Sequence, residues 1–535
     1  MSAMHDDVRR DSTGAVAKRL QIVIWTLAAL SFAFSLWAAT VGWHNTIFDF
    51  HGFRQAQTAI SAQSIRDGGP ILRYETPVLG PPWSVPMEFP LYQLVVAEIA
   101  RIFGTPIDQT GRFVAELFHF LCFIPLWTIL AQLGFSRIQR LPALALFAVS
   151  PFYNFISHLV LIESMALFFS MMYLDQIMRL IRAPEGDKKR LWYAVGAMSF
   201  GVLAGLVKVT TLAAFFVLSA CMLLWHFWTQ YKNHQFKISS ALAQAFLCLG
   251  IPVVITDWWT KFADSVKAQN PFGLYLTSTH MSRFNFGSLA DRLTPSNYLR
   301  FPDDLNLIVG SLSLALIVLV VAFFLSRRAF WIALISIALY VLAIEIFFAL
   351  HHHHEYYAYA NGIFVVAAIG IVLGAMIGLP GKKAWVGLLL FIGMLGACGL
   401  RYMRRYYEWQ RDGNLKRMET ASLIDRTTKP DDVILITGLD WSSELPYLSH
   451  RRALMAPLSW QFPAGLDQAL RNEGPDNIAA AVICSTGRTE PRLHDVLAQL
   501  DMPESTSMHT DDCDVYERTR NYERTGNPDA PPSTK

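Results

Sequence analysis

The apolar stretch LQIVIWTLAALSFAFSLWAATVGW, residues 20–43, decides the fold class of this chain. It is long enough to cross a bilayer, because a membrane-spanning helix needs about 20 predominantly apolar residues. No small-residue cleavage site follows a short apolar core, so we predict a retained helix and not a signal peptide. Of the 535 residues, 53% are hydrophobic and 16% charged, against about 25% charged in soluble domains. The chain is therefore predicted to be a membrane protein.

Comparable stretches recur along the chain and stop near residue 400, which predicts a polytopic α-helical protein with about eleven spans. The spans are expected at 20–43, 111–134, 141–157, 159–181, 191–207, 209–228, 239–258, 306–325, 330–350, 360–380 and 384–400.

The lysines and arginines of the short loops predict the orientation of these spans. If the N-terminal tail, residues 1–19, is cytoplasmic, the loops on that side carry nearly all of these charges, and the opposite short loops carry only Lys208. An odd number of spans then places everything after residue 400 outside, which is the periplasm in a bacterium. Regions 44–110 and 259–305 face the same side. We therefore predict a multi-pass protein of the inner membrane.

The part after the last span alternates helical and extended patterns, which predicts a small α/β domain over residues 401–519 and a disordered tail over 520–535. Cys484 and Cys513 lie in this domain, where an oxidising compartment permits a disulfide, and their pairing is left open. The expected strands are DVILITG (432–438), RRALMAP (451–457), IAAAVIC (478–484) and DVYE (514–517).

The first outer loop is predicted to contain two amphipathic helices at the membrane interface, RQAQTAISAQSIRDGG (54–69) and EFPLYQLVVAEIARIFG (88–104). A proline-rich segment with Trp83 and Glu88 connects them. Just before the first helix, Asp49, His51 and Arg54 lie within six residues of each other. A partly desolvated aspartate can act as a base, and an arginine can bind a phosphate through two hydrogen bonds. The alternative is a solvated loop.

Two further clusters carry polar groups inside apolar sequence. SHLVLIESMALFF (157–169) contains Glu163, whose burial in a membrane requires a reason, although simple packing is the alternative. Lys208 stands alone at an outer helix junction, to neutralise an anion or to anchor the helix end. In HHHHEYY (351–357), helical spacing would place His351 and His354 on one face, with Tyr356 and Tyr357 beside them or in an aromatic belt.

The motifs and the charge of the sequence exclude some functional classes and leave others open. There is no P-loop, HExxH or Rossmann fingerprint, and a dispersed net charge of +3 does not suggest nucleic-acid binding. The histidines could hold Zn or Ni, so a metal site stays open, and so does a bound divalent cation. A transporter or flippase for a lipid-linked sugar is the main competing class, with Glu163, Glu345 and Lys208 along its pathway. A non-enzymatic scaffold is the third.

With Asp49 after the first span, an acidic residue at the second outer turn, two interfacial helices and the H-x-x-H-x-Y-Y element, residues 20–400 resemble the GT-C glycosyltransferases. The resemblance is strongest to bacterial relatives of protein O-mannosyltransferases and of the lipid A aminoarabinose transferase. It implies transfer of a sugar from a polyprenyl-phosphate carrier to an acceptor hydroxyl (glycan, lipid or protein) on the non-cytoplasmic side, usually with inversion. It also implies that Asp49 and Glu163 are the catalytic carboxylates.

The sequence departs from this family at two places. Phe50 follows Asp49 where many relatives carry glutamate, and Glu88 stands where the aminoarabinose transferase has a lysine. The cations that remain to contact the donor phosphate are Arg54, His51, His351, His354, Lys208 and Arg73. The residues expected to contact substrate are Trp83, Glu88, Tyr92, Tyr356 and Tyr357.

Overall fold

The computed structural model describes residues 2–47, 50–413, 417–455, 463–489, 491–510 and 512–518. It contains two compact units. Unit 1 comprises Met1–Trp43, Arg112–Asp257 and Ser282–Asp412, and unit 2 comprises His44–Gly111, Trp258–Met281 and Gly413–Lys535. Asp49 and the predicted tail from residue 520 onward lie outside the described residues.

The helices take up most of unit 1 and part of unit 2. In chain order they are α1 (Ser2–Thr40), α2 (Gly52–Arg66), α3 (Leu91–Phe103), α4 (Ile107–Leu121), α5 (Phe123–Gln132), α6 (Arg137–Val149), α7 (Pro151–Ser157), α8 (Glu163–Arg182), α9 (Lys189–Lys232), α10 (Ile238–Ala245), α11 (Ile251–Lys267), α12 (Ser282–Phe286), α13 (Leu289–Leu293), α14 (Phe301–Val309), α15 (Leu312–Leu325), α16 (Arg327–Ile346), α17 (Phe348–His353), α18 (Ala358–Ile377), α19 (Lys382–Arg405), α20 (Tyr407–Asp412), α21 (Met418–Thr427), α22 (Glu444–Ser449), α23 (Pro463–Glu473) and α24 (Leu493–Gln499).

Within the described residues, seven helices are long and apolar enough to cross a membrane, or eight if the bent pair α14 and α15 forms one span. The predicted count of eleven is therefore not confirmed. The expected span 141–157 is divided between two short helices, and 159–181 corresponds to α8, which carries Glu163, Asp175 and two arginines. The expected spans 191–207 and 209–228 are both contained in α9.

Helix α9 is one 44-residue element with a break in its backbone at Lys208, where φ is −164° and ψ is 98°. A straight helix of that length would extend about 66 Å, more than twice the roughly 30 Å of bilayer hydrocarbon. The kink lies at the residue that the sequence marked as a junction between two spans. Lys208 therefore lies at a bend of α9 and not within a continuous stretch of helix.

Helix α18 is the core of unit 1, and 94% of its apolar stretch is buried. It packs against α6, α15, α16 and α19. Two glycines one turn apart let α6 approach closely. A Cβ at Gly370 would lie 2.3 Å from Ala143 Cα, and one at Gly374 would lie 1.9 Å from the Gln139 carbonyl oxygen. The close packing of α18 against α6 therefore requires glycine at both positions.

We expect Gly374→Ala to destabilise the protein by about 1–3 kcal/mol, because the new methyl group must push α18 away from α6. Gly396→Ala on α19 is the matched control, because a Cβ there meets nothing within 4 Å. Thermal unfolding of both variants in detergent checks the prediction. Equal unfolding midpoints would contradict it.

Unit 2 contains a five-stranded mixed sheet of β1 (Val433–Thr437), β2 (Arg452–Met455), β3 (Ile478–Cys484), β4 (Ser507–His509) and β5 (Cys513–Glu517), in the order β2-β1-β3-β5-β4. β1 is parallel to β2 and β3, whereas β5 is antiparallel to β3 and β4. Four strands coincide with expected segments, and β4 was missed. Cys484 and Cys513 face each other across β3 and β5 and form a disulfide.

The two helices predicted for residues 44–110 are present as α2 and α3, which pack against each other. Their location at the membrane interface stays a prediction. They belong to the same compact unit as the sheet, and α2 also packs against α22. Gly52 begins α2 under this contact, since a Cβ there would lie 2.1 Å from Glu444 Oε1. The helix expected over residues 402–427 is broken into the end of α19, α20 and α21. Residues 44–110 and the sheet thus belong to one compact unit.

Candidate active site

Glu163 and Lys208 form a buried ion pair in unit 1. Glu163 lies in the first turn of α8, and Lys208 lies at the kink of α9, the helix packed most extensively against α8. Glu163 is 2% exposed and Lys208 is 3% exposed. Lys208 Nζ donates a hydrogen bond to Glu163 Oε1. Two of the predicted site residues, 45 positions apart in sequence, are thus in direct contact.

Tyr356 and Tyr357 cover the ammonium group of this pair. Lys208 Nζ lies 5.1 Å from the ring centre of Tyr356 and 4.3 Å from that of Tyr357, within the range of cation–π attraction. The His354 ring stacks on Tyr356 at 5.4 Å, and the His351 ring lies 6.0 Å from that of Tyr357. The aromatic element predicted from HHHHEYY therefore surrounds Lys208.

The carboxylate of Glu163 is only partly satisfied within the described structure. Its Oε1 accepts from Lys208, whereas its buried Oε2 has no hydrogen-bond partner among the described residues. Buried polar atoms of native proteins are almost always paired, so an unpaired one needs an explanation. This oxygen is therefore available to accept a hydrogen bond from a substrate.

We expect Glu163→Gln to cost about 3–5 kcal/mol of stability, because it leaves the Lys208 ammonium buried without its counter-charge. The double variant Glu163→Gln with Lys208→Met removes both charges and should recover most of that loss. Unfolding of the purified protein by heat or denaturant measures both changes.

The matched control is Glu185→Gln, which removes an exposed partner of Arg190 and should change stability by less than about 1 kcal/mol. If the double variant were as unstable as Glu163→Gln alone, the buried charge would not be the cause.

The histidine tract does not form one continuous face, because α17 ends at His353 and His354 is extended. His351 is buried, and its Nδ1 lies 3.0 Å from the Phe347 carbonyl oxygen, so Nδ1 carries the proton. His352 and His353 instead line a separate cavity of about 330 Å³ together with Arg283, Asp291 and Asn297. No group of three or more metal-ligating side chains in the described ranges is arranged to hold an ion.

Burial lowers the pKa of His351 to about 4, and the nearby charges of Lys208 and Arg300 act in the same direction, against the hydrogen bond to Phe347. At neutral pH this imidazole is therefore neutral. That His351 contacts the donor phosphate remains a prediction, and a neutral imidazole would do so through a hydrogen bond.

This pKa predicts a pH dependence of stability. The unfolded chain protonates His351 near pH 6.5, before the folded chain does near pH 4, so stability is lost as the pH falls between these values. We expect His351→Gln to flatten the unfolding midpoint between pH 6.5 and 4. His494→Gln, at an exposed position, should leave the wild-type slope unchanged. An unchanged slope in His351→Gln would be the contrary result.

In unit 2, Arg54 and Glu88 form an ion pair. Arg54 Nη1 also donates to Gln57 Oε1 at 2.6 Å, while the Glu88 carbonyl accepts from the Tyr74 hydroxyl at 3.1 Å. The segment before α3 is held further by Trp259 Nε1, which donates to the Met87 carbonyl at 3.1 Å. Glu88, which stands where the aminoarabinose transferase is expected to have a lysine, thus neutralises Arg54, the arginine predicted to bind phosphate.

The remaining predicted residues of unit 2 have distinct surroundings. His51 has a left-handed backbone, with φ of 58°, immediately before α2. Arg73 donates to Gln269 at 2.7 Å, and half-buried Trp83 lies under the Arg452 guanidinium at 5.3 Å. Tyr92 is 0% exposed and donates to the Gly111 carbonyl at 2.6 Å, so its ring offers no surface to a substrate in this structure.

Comparisons with known proteins give the context of this geometry. By structure, the chain matches ArnT from Cupriavidus metallidurans bound to undecaprenyl phosphate, with a TM-score of 0.58 at 14% identity, over 94% of this chain and 98% of ArnT. The fold is that of the GT-C glycosyltransferases. The arabinofuranosyltransferase AftD from Mycobacteria also matches, with a TM-score of 0.53 at 12% identity, over 93% of this chain and 40% of AftD.

A third GT-C structure matches over a smaller part of the chain. It is the oligosaccharyltransferase AglB from Archaeoglobus fulgidus in complex with an inhibitory peptide and a dolichol-phosphate, with a TM-score of 0.51 at 11% identity, over 86% of this chain and 69% of AglB. Residues 108–263 match the family model described as dolichyl-phosphate-mannose-protein mannosyltransferase. Comparison with curated proteins gave no match. The resemblance predicted from the sequence is confirmed for the GT-C fold.

Sequence reasoning missed a second buried polar group on this GT-C scaffold. Arg112 and Glu116 lie one turn apart on α4, are 0% and 6% exposed, and approach His158 before α8. Farther along α4, His119 Nδ1 lies 3.0 Å from the Tyr359 hydroxyl. Charged residues four positions apart inside an apolar span were the available signal, because such groups in a membrane need partners.

Proposed function

We propose that the protein transfers a sugar from a polyprenyl-phosphate-linked donor to an acceptor hydroxyl on the non-cytoplasmic face of the membrane, with inversion at the anomeric carbon. The buried Glu163–Lys208 pair, with its uncommitted carboxylate oxygen, carries this proposal. A GT-C fold around that pair supports it. The ArnT match, a protein bound to undecaprenyl phosphate, supports the class of donor.

The reaction needs a base, a route for the leaving group and stabilisation of charge. The acceptor oxygen bonds to the anomeric carbon as the bond from that carbon to the phosphate oxygen breaks, and the acceptor proton moves to a carboxylate. Positive charge develops on the sugar ring, and the carrier leaves as polyprenyl phosphate. We assign proton removal to Asp49, the carboxylate that follows the first span.

We assign Glu163 to orienting the acceptor substrate, because its buried Oε2 can accept a hydrogen bond from the hydroxyl group of that substrate. Lys208 fixes Glu163 and supplies positive charge. The ring faces of Tyr356 and Tyr357 contact the Lys208 ammonium, and the His354 ring stacks on Tyr356.

We assign the leaving phosphate to Arg54, with His51 and Arg73 as further donors from the same unit. Arg54 already holds Glu88, so phosphate must share or replace that carboxylate. A guanidinium has five N–H donors and can keep one partner while binding another. We propose that the protein lies in the inner membrane of a bacterium. Its N-terminus is then in the cytoplasm, and its C-terminal sheet is on the outer side of that membrane.

Transfer of label from a polyprenyl-phosphate sugar, measured in proteoliposomes, tests the proposed function. We expect Asp49→Asn to lower kcat by about 100-fold to 10,000-fold, the usual contribution of a positioned base. Asp67→Asn, which changes an exposed carboxylate paired with Arg66, should retain full activity.

Full activity of Asp49→Asn would remove the assignment of the base. Movement of the labelled lipid across the bilayer without any transfer would favour a flippase. We expect transfer to persist with a chelator, because we propose a metal-free reaction. Loss of activity restored by a divalent ion would overturn that part.

A further inference from the structure

Arg112 is the largest fully buried side chain that carries a charge in the described part of unit 1. Its guanidinium donates hydrogen bonds to backbone oxygens of two distant segments. Nε donates to the His158 carbonyl at 3.0 Å, and Nη1 donates to the Trp43 carbonyl at 2.5 Å. One side chain on α4 thus ties together two segments that are 115 residues apart.

Each of these segments leads into a carboxylate assigned above. Trp43 follows the end of α1 and precedes Asp49 by six residues, and His158 precedes Glu163 by five. The four residues between His158 and Glu163 are buried and leave little room for slack. Gln410 also fixes the end of α1, because its Nε2 donates to the Ala38 carbonyl at 2.6 Å.

Glu116 strengthens the same joint from the next turn of α4. Its Oε2 accepts from the Ser157 hydroxyl at 3.3 Å, and its Oε1 lies 3.4 Å from His158 Nδ1. The His158 ring also meets the Trp43 ring edge at 6.4 Å. We call this group, formed by Arg112, Glu116, His158 and Trp43, the α4 joint. It connects the segment after α1 to the turn before α8.

We propose that Arg112 is a positioning residue, which holds the segment after α1 and the turn before Glu163 in the register that the transfer reaction needs. The planar fork of arginine suits this role, because Nε and Nη1 can reach two carbonyls at once and a lysine ammonium cannot reproduce that geometry. Its kinetic consequence rests on the proposed function, whereas its structural consequence does not.

The kinetic test compares Arg112→Met, Arg112→Lys and wild type in the proteoliposome transfer assay. We expect Arg112→Met to lower kcat about 100-fold, the scale of a misplacement near 1 Å, with KM for the donor changed less than about 3-fold. Arg112→Lys should recover part of kcat. Arg140→Met is the control, because Arg140 Nε also donates to a backbone carbonyl, that of Phe135 at 2.7 Å, before a different helix.

Hydrogen–deuterium exchange of the full-length variants gives a readout without any reaction. Arg112→Met should raise exchange in residues 42–55 and 158–163, Arg112→Lys should raise it less, and Arg140→Met should leave both segments unchanged. If Arg112→Met showed wild-type exchange in both segments, the proposal that Arg112 holds them together would be wrong. A raised KM with unchanged kcat would overturn the positioning role and make Arg112 a donor contact. Wild type without transfer activity would refute the proposed function alone, because the exchange result stands apart.

Discussion

The Glu163–Lys208 ion pair is the constraint on which unit 1 depends. Two charges at this depth are tolerated only when they meet, since an ion left alone in a low-dielectric interior costs several kcal/mol. Their meeting fixes the start of α8 against the bend of α9. The backbone of α9 breaks at Lys208, the residue whose ammonium group contacts the Glu163 carboxylate. The two tyrosines follow, as aromatic faces are what a partly desolvated cation prefers when water is excluded.

The sequence could predict those parts of the structure that follow from burial in a bilayer. Glu163 and Lys208 were visible as charges in apolar surroundings, and α2, α3 and four of the five strands were visible from periodicity. Boundaries were less accessible. The stretch 141–157 has the composition of a span, yet Pro151 starts a new helix there. Arg112 was overlooked although Glu116 follows it by four residues, because an arginine at a predicted helix start is usually explained by the interface. Its carbonyl partners are visible only in the tertiary contacts.

The histidine tract shows a different limit of prediction. Helical spacing predicted that His351 and His354 share one helix face. Both rings do contact the tyrosines, but the helix ends before His354, which has an extended backbone. His351 is buried and neutral, whereas His352 and His353 line another cavity. Adjacent identical residues thus meet separate environments, which no pattern of four histidines can reveal. Glu88 is comparable: its sequence position suggested a lost cation, and its contact with Arg54 indicates that this charge is balanced locally.

The disulfide between Cys484 and Cys513 gives the molecule a redox history. It fastens β5, near the end of the chain, to β3 in the middle of the sheet. Such bonds persist where the surroundings are oxidising and are reduced in the cytosol. Without this bond, β5 would be held by the backbone hydrogen bonds of the sheet and by the packing of buried Val515. The thiol state of Cys484 and Cys513 therefore reports whether this sheet has been exposed to an oxidising environment.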